Sequence, residues 1–183
     1  MKKIELSLLG LAISQSPDSY IVLLKEKGSE KRLPIIVGTN EAQSIAVAID
    51  NLRPPRPLTH DVFFNVMIHF EIDLKEVYIY DIVNGIFHAR MVCERHGDAQ
   101  QFDVRSSDAI AMALRFRIPI YTNENVLNIA GVLPSLNKYE EKTGQKNIFD
   151  MSPKEIQFAI EDAVKKEDYE TASLLRDLLK QKK

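Results

Sequence analysis

This sequence is poor in cysteine, in excess charge, in long apolar runs and in spaced metal-binding motifs. Its 183 residues contain one cysteine, Cys93. That excludes an internal disulfide framework and a cysteine-rich zinc site. Cys93 alternates with Phe87, Ala89 and Met91, the period of one face of a strand, and so reads as core. The formal net charge of −2 gives no bulk attraction to nucleic acid, so any phosphate binding must come from a local cluster. There is no apolar signal-peptide core at the N-terminus and no apolar run of about twenty residues, so a soluble, cytoplasmic protein without membrane contact is expected.

The 45% apolar fraction is enough for a genuine core. The length fits one domain with an appendage, or two small domains. Residues 4–13, 20–25 and 32–37 read as strands, separated by Ser-Pro-Asp-Ser and Lys-Gly-Ser-Glu turns. Gly38-Thr39-Asn40-Glu41 opens a helix with Ala42, Ile45, Ala46 and Ile49 on one face, ended by Pro54, Pro55 and Pro57. A second helix starts near Thr59, with Phe63, Val66, Met67 and Phe70 spaced as a core stripe. Strands at 75–83 and 86–95 join at Asn84-Gly85, a strong hairpin signal. A strand at 101–105, a helix at 107–116 and a short strand at 118–121 follow. The order predicts an α+β fold with a mixed or antiparallel sheet, and two β-β-β-α halves in which Glu41-Ala42 and Asp108-Ala109 match.

The densest chemistry lies at Asp103-Val104-Arg105-Ser106-Ser107-Asp108, where a strand meets an almost wholly apolar helix. A helix N-terminus presents unpaired N–H groups and partial positive charge. Ser106 or Ser107 can cap it, and Asp108 suits its first turn. Capping does not require Asp103 and Arg105, which alternate onto one strand face. Together these groups suit a phosphate or a divalent cation, with Ser106 and Ser107 as substrate contacts and Asp103 and Asp108 as the candidate metal ligands.

His60 and Asp61 stand at the next helix start. They read either as surface and cap, or as proton-transfer and phosphate-contacting groups beside Arg53 and Arg56. The prolines hold those two arginines extended, as a solvated loop or as substrate-binding groups. Glu41 is a first-turn acid or, by analogy with Asp108, a ligand or base. Arg115 and Arg117 suit a helix C-terminus, and His88 either joins the site or lies on the surface.

Residues 133–151 read as a polar linker. Ser152-Pro153-Lys154-Glu155 is then a full helix start. The stripe Ile156, Ala159, Ile160, Ala163 and Val164, and a second face of Leu175, Leu178 and Leu179, predict a helical hairpin over 152–183. A hairpin of about 30 residues is too small to stand alone and must dock or pair.

Two resemblances follow from these blocks. Leu33-Pro34-Ile35-Ile36-Val37-Gly38 with Glu41-Ala42, Arg56-Pro57-Leu58-Thr59-His60-Asp61, Gly85-Ile86-Phe87-His88-Ala89, and Asp103 to Ala111 occur in order. Over residues 1–132 the chain resembles the bifunctional nuclease (BFN) domain. Ser106 stands where that pattern usually has proline, and Ile86 near its usual threonine; neither departure removes a charged group. The resemblance implies a nuclease acting on DNA and RNA, and a homo-oligomer. Glu167-Asp168-Tyr169-Glu170-Thr171-Ala172-Ser173-Leu174-Leu175-Arg176-Asp177 resembles the UVR motif of bacterial excision repair and Clp-type ATPases. That implies a hairpin that binds another hairpin, with Tyr169, Leu175, Arg176 and Leu179 as contact residues.

Phosphodiester cleavage needs an activated water, stabilised negative charge and help for the leaving oxygen. Mg²⁺ or Mn²⁺ on Glu41, Asp61, Asp103 or Asp108 would supply these. A metal-free route would use His60 as base and Arg105 for the phosphate. The competing expectation is a non-enzymatic oligomeric adaptor or ligand-binding protein, acting through the UVR-like hairpin in DNA repair or stress response. The acidic net charge favours it.

Overall fold

The computed structural model describes residues 2–14, 16, 18–134, 156–160, 176 and 179. The chain divides into two compact units, Met1–Asn137 and Lys138–Lys183. In the first unit three antiparallel strands, β1 (Ile4–Ile13), β2 (Ser19–Glu26) and β3 (Arg32–Gly38), lead into helix α1 (Thr39–Ile49). Helix α2 (Thr59–His69) follows the proline segment. The pattern then repeats as β4 (Asp73–Val83), β5 (Ile86–Arg95), β6 (Asp98–Arg105) and helix α3 (Ser106–Phe116). Strand β7 (Ile120–Thr122) and helix α4 (Glu124–Ala130) complete the unit.

The seven strands form one mixed sheet in the order β3-β2-β1-β7-β4-β5-β6. Strand β7 stands at its centre, antiparallel to β1 and parallel to β4. The two β-β-β-α halves therefore flank β7 on either side. Helices α1 and α3 pack side by side on one face, α1 on β2 and β3, and α3 on β4, β5 and β6. Helix α4 touches both β3 and β4, which lie apart in the sheet order, so the sheet is curled.

Local chemistry explains the tight joints. Asn84 and Gly85 both take positive φ, 51° and 79°, as a two-residue hairpin turn with right-handed strand twist demands. His96 and Gly97 do the same between β5 and β6, at 52° and 84°. Pro34 is tolerated because β3 is an edge strand. Helix α3 buries Ala109, Ile110, Ala111, Met112 and Ala113 in succession, because the sheet lies on one side of it and α1 and α2 on another. A helix apolar all round belongs in such a position.

The expected elements differ from the structure at five points. Helix α4 and the first residues of β6 were not foreseen. The short strand runs 120–122 rather than 118–121. Ser106 and Ser107 are buried helical residues, with Arg105 at the N-cap, so neither serine caps α3. The α2 stripe is not core: Met67 is buried, but Phe63, Val66 and Phe70 are exposed, and Phe64 instead packs edge-on against Phe116 at 4.7 Å.

In the second unit residues 156–160 are helical. Ile156 and Ile160 are buried, with Ala159 and Leu179 packed against them, and Arg176 is exposed. Tyr169, Leu175 and most of the expected linker and hairpin lie outside the described residues. No helix among the described residues is long and apolar enough to cross a membrane.

Candidate active site

The equivalence of the two halves builds the site. Glu41 and Asp108 are each the third residue of their helix, α1 and α3. Because these helices pack side by side, the two acids meet, and Arg105 lies between them. Its Nη1 donates to Glu41 Oε1 at 2.8 Å, its Nε to Asp108 Oδ2 at 2.8 Å and its Nη2 to Asp108 Oδ1 at 3.0 Å. This is a bidentate fork on Asp108 with a third bond to Glu41. Glu41 folds back over Gly38, where a Cβ would lie 2.8 Å from Glu41 Oε2.

Helix α2 adds His60. Its Nε2 lies 3.1 Å from Asp108 Oδ1 and its Nδ1 lies 2.7 Å from Ser44 Oγ on α1. A continuous chain of polar contacts thus runs Ser44, His60, Asp108, Arg105, Glu41. Partial burial would push the Asp108 carboxyl up. The hydrogen bonds from Arg105 and His60 and the charge of Arg105 outweigh that and hold it below its ordinary value. Arg105 is in turn held more firmly protonated by Asp108.

This chain lies along a cleft of about 850 Å³. Asn40, Glu41, Gln43, Ser44, Thr59, His60, Arg105 and Asp108 make its polar part, and Phe63, Met67, Met91, Phe102, Val104 and Met112 belong to its apolar part. Cys93 also lines it, and burial pushes its thiol up, away from thiolate reactivity.

The structure thus brings together Glu41, His60, Arg105 and Asp108, and leaves other expected residues out. Asp103 points to the opposite sheet face, because Phe102 and Val104 on either side of it face the cleft. There it accepts a hydrogen bond from Tyr80 Oη at 3.1 Å, which pushes the tyrosine up. Arg90 stacks over Tyr78 and Tyr80 on that face, and His88 lies beside Tyr80. Arg105 escapes the same alternation because the strand turns into α3 at that residue.

Asp61 also turns away from the cleft. It accepts from the Leu58 N–H at 2.8 Å, so it caps α2, and it accepts from Arg115 Nε at 2.8 Å. Arg53 and Arg56 are exposed and do not line the cleft, and Ser106 and Ser107 are buried in α3. Asp103 and Asp108, on opposite faces, do not fit a shared cation. Both Asp108 oxygens already take Arg105, and among the described residues no three His, Cys, Asp or Glu side chains are grouped to hold a metal ion.

Ser44 was not singled out, and Arg115 was read only as a helix C-terminal cation. Ser44 is a hydroxyl within the apolar face of α1, and that mismatch was its only signal. Arg115 is buried, donating also to the carbonyls of Ser44 at 3.1 Å and Ala111 at 2.9 Å. Its tie to Asp61 spans 54 positions and leaves no local pattern.

The family model for the bifunctional nuclease domain matches residues 22–135, which include every member of this polar chain. The protein belongs to the bifunctional nuclease domain family. An uncharacterised protein of Mycobacterium tuberculosis is 37% identical over 139 residues, covering 76% of this chain and 83% of its own. Bifunctional nuclease 1 of Oryza sativa subsp. japonica is 30% identical over 114 residues, and bifunctional nuclease 2 of Arabidopsis thaliana 30% over 112. The matched region spans 34% of the length of each of those two plant relatives.

Proposed function

We propose that this chain is a nuclease that cleaves phosphodiester bonds of DNA, RNA or both, in the cytoplasm, and that a UVR-type C-terminal hairpin docks it to a protein partner. The observation that carries the reading is one carboxylate, Asp108, bonded at once to an arginine and a histidine at the polar part of a cleft. The names of the plant relatives support it.

Arg105 has five N–H groups and its three bonds to Glu41 and Asp108 use three of them. Two remain for phosphate oxygens, and the side chain is 68% exposed. In this reading Arg105 binds the phosphate and stabilises the charge that develops as water attacks phosphorus. His60 moves the proton, and in its charged form it balances the second carboxylate. Glu41 and Asp108 aim the guanidinium. Asp103 and Asp108 do not converge on a shared ion, and this chemistry is metal-free.

The test is cleavage of single- and double-stranded DNA and RNA by the purified chain, with and without EDTA, beside His60→Ala and Arg105→Ala. Cleavage that survives EDTA and is lost in both variants is the expected result. Cleavage unchanged in both variants would overturn the reading. Loss with EDTA would overturn its metal-free chemistry.

A second reading, an oligomeric adaptor or ligand-binding protein in DNA repair or stress response, is favoured by one observation. Two carboxylates face Arg105, so the cluster carries no excess positive charge. Self-association belongs to both readings. It is supported by the exposed apolar side chains of Val62, Phe63, Val66, Ile68 and Phe70 along α2. We infer a homo-oligomer, most simply a dimer, and light scattering showing a monomer at micromolar concentration would refute it. For the tail, Tyr169, Leu175, Arg176 and Leu179 are the inferred contacts. Leu175→Asp in the full chain should weaken partner capture while leaving cleavage intact.

A further inference from the structure

We propose that Ser44 positions His60 and relays its proton: Asp108 holds the hydrogen on His60 Nε2, and the Ser44 hydroxyl donates to Nδ1, fixes the imidazole plane and links Nδ1, the proton-exchanging nitrogen, to the cleft. The second half of this statement rests on His60 being the proton-transfer group, and the first half does not.

The order of protons follows from the partners. Both oxygens of Asp108 accept from Arg105, so this group is an ionised, acceptor-only carboxylate. His60 Nε2, 3.1 Å from Asp108 Oδ1, therefore donates. A neutral imidazole has one N–H, so Nδ1 is left with a lone pair. The only hydrogen that fits the 2.7 Å contact to Ser44 Oγ then belongs to the serine. Ser44 donates, and both nitrogens of the neutral tautomer that Asp108 sets are hydrogen-bonded.

The mounting of Ser44 is as specific as its contact. The residue is 3% exposed yet lines the cleft. Its carbonyl accepts from Arg115 Nη1 at 3.1 Å, and Arg115 Nε holds Asp61, the residue next to His60, at 2.8 Å. Hydroxyl and imidazole are therefore carried on one buried clamp that joins α1, α2 and α3. The Arg115 bond is to the backbone carbonyl, and the bond that requires a hydroxyl is the one to His60.

A hydroxyl suits this position because it can reverse. When the attacking water gives a proton to Ser44 Oγ and the serine hydrogen passes to Nδ1, Ser44 Oγ accepts from Nδ1–H and its own hydrogen turns toward the cleft. On transfer, Nδ1–H passes its proton to Ser44 Oγ as the serine hydrogen passes to the leaving oxygen. One proton enters the hydroxyl and one leaves, Ser44 is unchanged, and no bond to phosphorus forms at the serine. His60 keeps both hydrogen-bond partners throughout.

The test uses the full chain labelled with ¹⁵N-histidine and two-bond ¹H–¹⁵N spectra at alkaline pH, where histidine side chains are neutral. The signals of His60 are those lost in His60→Gln. The expected wild-type pattern is a protonated Nε2 and a lone-pair Nδ1. Ser44→Ala should keep the Nε2–H tautomer that Asp108 sets but lose the hydrogen bond at Nδ1 and so move its ¹⁵N resonance, with turnover lower by roughly tenfold or more and KM unchanged, and Ser44→Thr should restore the wild-type resonance. A protonated Nδ1 in the wild type, or an unaltered Nδ1 resonance in Ser44→Ala, would overturn the proposal. The wild-type spectrum decides even where a variant fails to fold. The expected Nδ1 resonances in wild type and Ser44→Ala, in a protein that cleaves no nucleic acid, support the orienting role of Ser44 and sink only the nuclease reading.

Discussion

Arg115 at the end of α3 and Asp61 in the first turn of α2 form an ion pair at 2.8 Å, with the arginine side chain 7% exposed. Asp61 also caps the Leu58 N–H, and Arg115 also holds the carbonyls of Ser44 and Ala111. The geometry of His60 thus depends on a clamp that does not face the cleft.

Breaking that clamp should destabilise the fold. Removing one partner of a largely buried pair leaves an uncompensated charge, a cost of about 3–5 kcal/mol. Arg115→Ala should therefore lower unfolding free energy by about that amount in urea titrations. A double-mutant cycle with Asp61→Asn should show strong coupling. A loss below about 1 kcal/mol would show that α1, α2 and α3 hold together by apolar packing alone.

Much of this architecture was legible in local sequence. Asn84-Gly85 marked its hairpin because that turn needs two positive φ angles. Glu41 and Asp108 declared the repeat because both sit in the first turn of an apolar helix. What failed left no periodic or compositional signal. The residues of β6 from 98 to 103 are all exposed, so the strand offered no alternation to read. Helix α4 has only seven residues, too few for a periodic stripe. Asp103 and Arg105 share a strand face in an ideal strand. The turn into α3 at Arg105 separates them, and a one-residue change of direction has no compositional signature. The serines beside it read as caps because serine caps helices, yet here the strand runs directly into the helix with Arg105 at the N-cap.

The separation of Asp103 from Arg105 can be measured. Arg105→Ala should abolish binding of a nucleotide phosphate or nucleic acid. It should change stability by only about 0–1 kcal/mol, since its side chain is 68% exposed and water screens its pairs. Asp103→Ala should leave binding and cleavage as they are, because its partner is Tyr80 on the other face. Equal functional loss in both variants would place the two residues in one site.

Neutralising one carboxylate should alter affinity in a definite direction. Glu41 contacts Arg105 and contributes negative charge where a phosphate would arrive. Glu41→Gln removes that charge while keeping an acceptor oxygen. The variant should bind a phosphate-bearing oligonucleotide several-fold more tightly at low salt, with the gain fading as salt rises. Weaker binding would show that Glu41 aims the guanidinium more than it repels the ligand.

The last expectation concerns acid. Burial acts to raise the Asp108 carboxyl, and Arg105 and His60 act to lower it, with the net result below the ordinary value of 3.8. A group whose value falls on folding stabilises the fold when ionised. That contribution is complete above the unfolded value of 3.8 and disappears as pH falls through the lower folded value. Other carboxylates titrate in the same range, so the useful quantity is the difference in unfolding free energy between wild type and Asp108→Asn. It should favour the wild type above that value and shrink on acidification below it. Should the difference instead move in favour of the wild type as the solution becomes more acid, the protonated carboxyl would be the stabilising form. Burial would then outweigh Arg105, and Asp108 would no longer be the acceptor-only group on which His60 is oriented.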